Sequence, residues 1–311
     1  MSSMRSVWLI VILPLGLIGC QGEVEDVGGD ALRIASLAPA LTQMLVELDT
    51  AGHIVAVGEH DDALPAELAD EVAVVGRFAD IQTEALLAAR PTHVLLQTDP
   101  THLQRLGGSA GFEVLAWPYP RSIDDVLETL APRDGERVGV GGFVGRADEA
   151  RALRASIERR LDELASLASA VEERPRVLML IGTRPVTASG PGTVLDEMLE
   201  LAGARNAAPA GQAGAPTFDR EMLLAAAPEV IVLLSPGGRE LAALDEDPRL
   251  AELRGLEIPA VRDGRIAIVN HPLALLPTTT IPDVVAELLG KVHPELAEAA
   301  REIVAAGEAS P

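Results

Sequence analysis

The chain is predicted to be an α/β protein of two Rossmann-like lobes, each built on a mostly parallel sheet, bridged by a single long α-helix. Three observations predict this: a phrase that occurs twice, an alternation of short apolar runs with helical spacing, and one unbroken amphipathic stretch near the middle. Residues 84–94 read EALLAARPTHV and residues 221–231 read EMLLAAAPEVI. Glu84, Leu86, Leu87, Ala88, Ala89 and Pro91 recur as Glu221, Leu223, Leu224, Ala225, Ala226 and Pro228, every pair 137 residues apart. Each copy reads as a short helix closed by a proline, which cannot continue it, followed by a β-branched run of buried-strand length. A solenoid repeats every 20–50 residues or so, and this period is far longer. It suits two similar lobes in one chain.

Taken in order, Leu32 to Leu37 predicts the first strand, broken by Pro39, with a helix from Thr42 to Leu48. Ile54 to Val57 is the next strand and ends in the polar loop 58–62. Val72 to Val75, His93 to Leu96 and Glu113 to Ala116 are further short apolar strands with helical segments between them. Such alternation builds a mostly parallel sheet. From Arg146 to Val171 no glycine or proline interrupts; Ala150, Ile157, Leu161, Leu164, Ala168 and Val171 keep helical spacing while charged residues fill the other faces. A helix of that span reaches about 39 Å, long enough to run the height of one lobe and meet the next. A second series then follows: strand 176–181, helix 193–202, the repeated helix, strands 230–234 and 265–269, and a last helix from Pro282 to Val292. The predicted division is a signal segment over 1–19, a tether over 20–31, an N-terminal lobe over 32–142, a bridging helix over 143–174 and a C-terminal lobe over 175–311.

The amino terminus predicts export. Arg5 precedes an apolar run from Val7 to Ile18 that is shorter than the roughly 20 residues a bilayer span needs, and Pro14 and Gly16 break it. Leu17-Ile18-Gly19-Cys20 resembles the bacterial lipobox, in which the cysteine is lipidated and becomes the new amino terminus. Cys20 is the only cysteine in 311 residues, so no intramolecular disulfide is possible. The acidic, pattern-free stretch 23–30 reads as a flexible tether. The expected location is the periplasm or cell surface, lipid-anchored to a membrane.

Composition excludes several partners. The formal net charge of −22, from 47 acidic against 25 basic residues, argues against nucleic acid and against electrostatic attachment to anionic lipid. Aromatic residues make up only 2% of the chain, and after the signal segment Phe78, Phe112, Trp117, Tyr119, Phe143 and Phe218 are all that remain. Most lie near predicted strand ends or loops, where ligands meet α/β lobes.

From residue 32 to about 296 the chain resembles the class III periplasmic substrate-binding proteins of ABC importers, which bind cobalamin, haem and ferric siderophores. The segments that carry the resemblance are Arg33 to Pro39 with Thr42, Val55-Ala56-Val57-Gly58, Val75-Gly76 leading to Glu84, and Ala89-Arg90-Pro91. In the second half they are Gly190-Pro191-Gly192-Thr193, Leu201 to Asn206, Ala260 to Arg265 and His293-Pro294-Glu295. The resemblance implies a binding protein and not an enzyme, a ligand gripped between lobes, no cofactor, and a monomer that meets a membrane permease. It also implies that Glu84 and Glu221 dock onto permease arginines. Read from the residues alone, both are equally first-turn acids favoured by the helix dipole at about 0.3–1 kcal/mol each.

Loops at strand C-terminal ends supply the ligand-site candidates: His60, Phe78, Gln97, Trp117 and Tyr119 from the first lobe, and Arg184, Phe218, Arg239 and His271 from the second. A corrinoid of the cobalamin type has a broad face with amide arms, which suits a mixed aromatic and polar cleft without strong positive charge. Ferric catecholates would favour several cations, and Arg77, Arg184 and Arg239 are the ones available. Haem-binding relatives carry a tyrosine directly after the glycine that matches Gly76, where Arg77 stands here. The expected ligand is therefore a corrinoid, with a ferric siderophore or haem as the alternative.

Two other classes compete, an enzyme and a divalent-metal-binding lipoprotein. Gly107-Gly108-Ser109-Ala110-Gly111 has the G-x-S-x-G pattern of a hydrolase, but it follows a helix and precedes a strand, the inverse of a nucleophile elbow. The glycines of 139–145 hint at a nucleotide loop, though no clear strand precedes them; a cap to the bridging helix accounts for them better. A divalent-metal lipoprotein would need three or four convergent ligands, and the six histidines are scattered without paired spacing. No catalytic and no metal-ligating residues are therefore expected.

Overall fold

In a computed structural model, the structure describes residues 32–77, 80–135, 137–237, 241–243 and 246–308. The expected signal segment, tether and lipidated Cys20, together with Phe78 and Arg239, lie outside them.

The first lobe runs β1 (Ile34–Ser36), α1 (Pro39–Glu47), β2 (Ile54–Val57), β3 (Ala73–Val74), β4 (Gly76–Arg77), β5 (Asp80–Ile81), α2 (Thr83–Ala88), β6 (His93–Leu96), α3 (Thr101–Ala110), β7 (Glu113–Ala116), α4 (Ile123–Leu130) and α5 (Val140–Phe143). Its sheet has the order β3-β2-β1-β6-β7 with every pair parallel, and β4 and β5 form a separate antiparallel hairpin. Strand β1 takes the centre because all three of its residues can be buried on both faces. Strand order reverses between β1 and β6, and a crevice opens beyond the strand ends at such a switch point.

A 23-residue helix, α6 (Ala147–Ser169), leaves this lobe, about 35 Å long at 1.5 Å per residue. Ala150, Ile157, Leu161, Leu164 and Ala168 form its buried stripe as their spacing predicts. Arg154 and Arg160 share that stripe, which their charge does not predict. Arg154 is tolerated because partners surround its guanidinium: Glu128 at 2.8 Å, Glu158 at 3.1 Å, Asp124 at 3.1 Å and the Ala131 carbonyl at 2.6 Å. Close packing also explains a glycine of the 139–145 run: a Cβ on Gly141 would come within 2.1 Å of the Ala150 Cβ. Gly141 thus seats α5 against the bridging helix.

The second lobe comprises β8 (Arg176–Thr183), β9 (Val186–Ala188), α7 (Val194–Leu201), β10 (Arg205–Asn206), α8 (Arg220–Ala226), β11 (Val230–Leu234), α9 (Pro259–Arg262), β12 (Ile266–Val269), α10 (Ile281–Val292) and α11 (Ala297–Glu308). Its sheet runs β10-β8-β11-β12 in parallel, with β9 folding back antiparallel onto β8. This is the predicted fold: two mostly parallel sheets in one chain, with α6 between them. One apolar cluster passes from Leu41, Leu45 and Leu130 through Ile157 and Leu164 of α6 to Leu199 and Leu288 of the second lobe. Smaller clusters cover the outer sides, one around Leu86 and Leu103, the other around Leu223 and Ile268.

The duplicated phrase is duplicated in three dimensions. Leu86 and Leu223 are buried, Glu84, Leu87, Glu221 and Leu224 are exposed, and Pro91 and Pro228 are buried. The residues before the prolines, Arg90 at φ 46° and Ala227 at φ 39°, are both left-handed. A helix that must stop before proline commonly ends this way, because α-helical geometry is disfavoured there. The free carbonyls at the two helix ends are taken by equivalent arginines: Arg33 donates to Ala89 O at 2.7 Å, and Arg176 donates to Ala226 O. Next along the chain, Thr92 Oγ1 accepts the Arg33 N–H at 3.0 Å, and Glu229 Oε2 accepts the Arg176 N–H at 2.7 Å.

Candidate functional site: the cleft between the lobes

The loop after β7 and the loops around β9, α7 and β12 enclose a cavity of about 490 Å³. Tyr119, Pro120 and Arg121 line it from the first lobe; Ile181, Ser189, Gly192 to Leu195, Ala213 to Ala215, Leu275 and Pro277 line it from the second. Pockets that hold small organic ligands run from about 300 to 1,000 Å³ and are mostly apolar with a few placed polar groups. This one fits that description, and Arg121 carries the only charge among the described residues that line it.

Local sequence builds each wall. Ser122 caps α4 in a full capping box with Asp125, whose carboxylate also accepts the Arg121 N–H at 2.8 Å, so the loop carrying Tyr119 and Arg121 is held at its root. Across the cleft Thr193 caps α7, accepting from the Asp196 N–H at 3.2 Å, and its hydroxyl lies 2.8 Å from Ser189 Oγ. The loop carrying Ala213 and Gly214 lies directly on Gly190, where a Cβ would fall 2.1 Å from Gln212 O, so only glycine admits this wall. Among the described residues the lobes are joined by the Ile123 N–H, which donates to Glu197 Oε2 at 2.7 Å, and by Thr278 Oγ1, which donates to Ala40 O at 3.1 Å.

Of the residues expected from the sequence, Tyr119 lines this cleft. Trp117 lies two residues away and lines an adjoining cavity with Tyr119 and Arg121, its indole N–H donating to Val138 O at 3.2 Å. Gln97 is buried at the end of β6 and does not line the cleft. His60 is exposed in the turn after β2, with φ 62°, and stands apart from the cleft lining. Phe218 needs correction: a bridge between Thr187 and Thr217 and the bond from the Phe218 N–H to Val186 O turn its ring into the outer core, where it is only 4% exposed. Arg184 is also displaced, since its guanidinium reaches Pro248 O at 2.6 Å on the lobe surface. His271 lines a different cavity, of about 680 Å³, with Glu47, Arg160 and Asp283. Burial holds its pKa below the ordinary histidine value, and its Nδ1 accepts the Leu273 N–H at 3.2 Å. That second cavity sets the carboxylates of Glu47, Glu149 and Asp283 beside the guanidinium groups of Arg159 and Arg160.

Arg121, Ser189, Thr193, Leu275 and Pro277 also line the cleft and are not among the residues expected from the sequence. Thr193 was legible as a helix cap, and Leu275 lies in the loop beyond the last strand, but no local pattern says which side of a loop turns inward. Glu84 and Glu221 sit in the first turns of α2 and α8, exposed and without an ion pair among the described residues. Among the described residues no three of His, Cys, Asp or Glu converge on a metal site, and no helix is long and apolar enough to cross a membrane.

Comparison with known proteins bears on the fold and the family. The cobalamin-binding protein of Halobacterium salinarum is 28% identical over 208 residues, 64% of this chain and 53% of that protein, so the match spans about half its length. The vitamin B12-binding protein of Photorhabdus laumondii is 23% identical over 233 residues, 75% of this chain and 80% of the relative. Among solved structures, a periplasmic haem-binding protein of Roseiflexus sp. RS-1 superposes with TM-score 0.70 at 24% identity, covering 87% of this chain and all of the other. The periplasmic vitamin B12-binding protein of Vibrio cholerae does so with TM-score 0.67 at 20% identity, covering 86% and 97%. At these identities the two structures show the fold. The family model described as periplasmic binding protein matches residues 34–272. With that match over most of its length, and with the bilobal architecture its segments imply, the chain belongs to the periplasmic binding protein family.

Proposed function

We propose that this chain is the substrate-binding component of an ABC importer and that it captures a corrinoid of the cobalamin type. The observation that carries the ligand choice is the cleft wall: a largely apolar surface with Tyr119 and hydroxyl groups from Ser189 and Thr193, and one cation, Arg121. A ferric catecholate or the propionates of haem would call for more positive charge. Arg77, which replaces the tyrosine of haem-binding relatives, lies 3.5 Å from Glu59, so its charge has a nearby counterpart. The curated relatives named for cobalamin and vitamin B12 favour the same choice. A bulky corrinoid fills 490 Å³ with only part of its body, so the lobes open slightly around it or leave one face in solvent. Binding proceeds without turnover; the ligand is cargo, not a cofactor. Glu84 and Glu221 dock the loaded protein on the permease, the protein acts as a monomer, and lipidated Cys20 holds it to the membrane.

Titration of the non-lipidated protein with cyanocobalamin tests the ligand. Trp117 is the only tryptophan beyond the predicted signal segment, and it borders the cleft, so its fluorescence falls with one-to-one stoichiometry. Quenching by haemin or a ferric catecholate with no response to any cobalamin would overturn the corrinoid assignment.

A further inference from the structure

We propose that Leu87 and Leu224 form the apolar half of the docking footprint on each lobe, an inference that rests on Glu84 and Glu221 as docking groups. Large apolar side chains are seldom exposed among the described residues, and these two are 39% and 41% exposed at equivalent positions of the internal repeat. Neither is needed for the core. In each helix the preceding leucine, Leu86 or Leu223, already turns inward and is buried. Each exposed leucine follows its glutamate by three residues, which places the two side chains side by side on one helical face. The pairing is therefore Glu beside Leu, twice, at matched exposure.

Chemistry defines the partner surface. An unpaired carboxylate next to an exposed isobutyl group fits a protein that offers a guanidinium or ammonium group beside an apolar hollow, and offers that pair at two stations. Both presenting helices are already held in place. Their C-terminal ends are pinned by Arg33 and Arg176, and both close on left-handed residues, so docking does not have to order them first. The two halves of the footprint do different work. The carboxylates guide encounter and are screened by salt, whereas leucine burial slows departure and is not.

The test measures docking of the full chain to its importer's permease in nanodiscs, at low and at high salt, for wild type, E84A/E221A, L87S/L224S and each leucine single variant. E84A/E221A is expected to lose affinity steeply at low salt, with the loss shrinking as salt rises. L87S/L224S is expected to lose about tenfold in affinity, shared evenly between the single variants and unchanged by salt, through faster dissociation. Thermal unfolding of the leucine variants should match wild type, since exposed positions carry little stability. If E84A/E221A docks like wild type, the docking reading itself fails. If E84A/E221A loses docking while L87S/L224S keeps wild-type affinity, or if only one leucine matters, the footprint proposal is overturned and the glutamate reading stands.

Discussion

The two lobes agree where they face outward and differ where they face each other. In both, the repeated helix ends on a left-handed residue, its last carbonyls are taken by an arginine near the first strand of that lobe, and its inner leucine is buried. At the cleft the likeness stops. The first lobe contributes the short stretch Tyr119 to Arg121, whereas the second contributes the β8–β9 hairpin region, the cap of α7, the loop on Gly190 and the loop beyond β12. The duplicated part of the chain is scaffold and outer surface; the part that is not duplicated lines the cleft.

The largest test of this comparison is in the core. Leu86→Ala and Leu223→Ala each remove a buried side chain at equivalent positions and should each cost about 2–5 kcal/mol in urea unfolding, with similar losses in the two variants. A large cost for one and a negligible cost for the other would break the equivalence of the outer layers. Next come the pinning arginines. Arg33→Ala frees the carbonyls of Ala89 and Arg90, and Arg176→Ala frees that of Ala226, so losses of about 1–3 kcal/mol are expected, with Arg33 the greater.

The smallest effect concerns acid. In the first lobe burial raises the pKa of Asp61, against the hydrogen bond of 2.7 Å that its carboxylate accepts from Thr42. A raised folded pKa contributes stability that is complete below the unfolded value and is lost as pH rises through the folded one. In the second lobe hydrogen bonds from Arg249 hold Asp247 far below the ordinary carboxylate range, so its contribution persists above the unfolded value and is lost only as pH falls through the folded one. Lowering pH from 7 towards 4 should therefore add stability through Asp61 and through Glu47, whose pKa burial also raises, against an opposing loss from His271, whose pKa burial lowers. Asp61→Asn should remove its part of that gain in denaturation measured across the range, and Asp247→Asn should leave the slope unchanged.

Much of the scaffold was legible because burial and period decide it. β2, β6, β7 and β11 occupy the residues that their apolar runs mark, and α6 spans Ala147–Ser169 within the predicted 146–171. Helix α11 was not foreseen: Pro294 reads as a stop, yet it opens a 3₁₀ turn that restarts the chain into Ala297–Glu308. The start of α1 was placed at Thr42, although Pro39 serves as a first-turn residue there and not only as a strand breaker. The cleft was less legible. Strand-end logic selected Tyr119, which lines the cleft, and also Phe218, Arg184 and His271, whose directions depend on contacts formed far along the chain: the Thr187–Thr217 bridge, the Pro248 carbonyl, and the helices around His271.

The apolar cluster that threads α6 from Leu41 to Leu288 bears on how such proteins diversify. Because both halves share one seam along that helix, a lobe transplanted from a relative would meet mismatched neighbours over its full length. Recombination of whole lobes is therefore disfavoured, and new ligand preferences arise more readily through turnover of the short loops that border the gap.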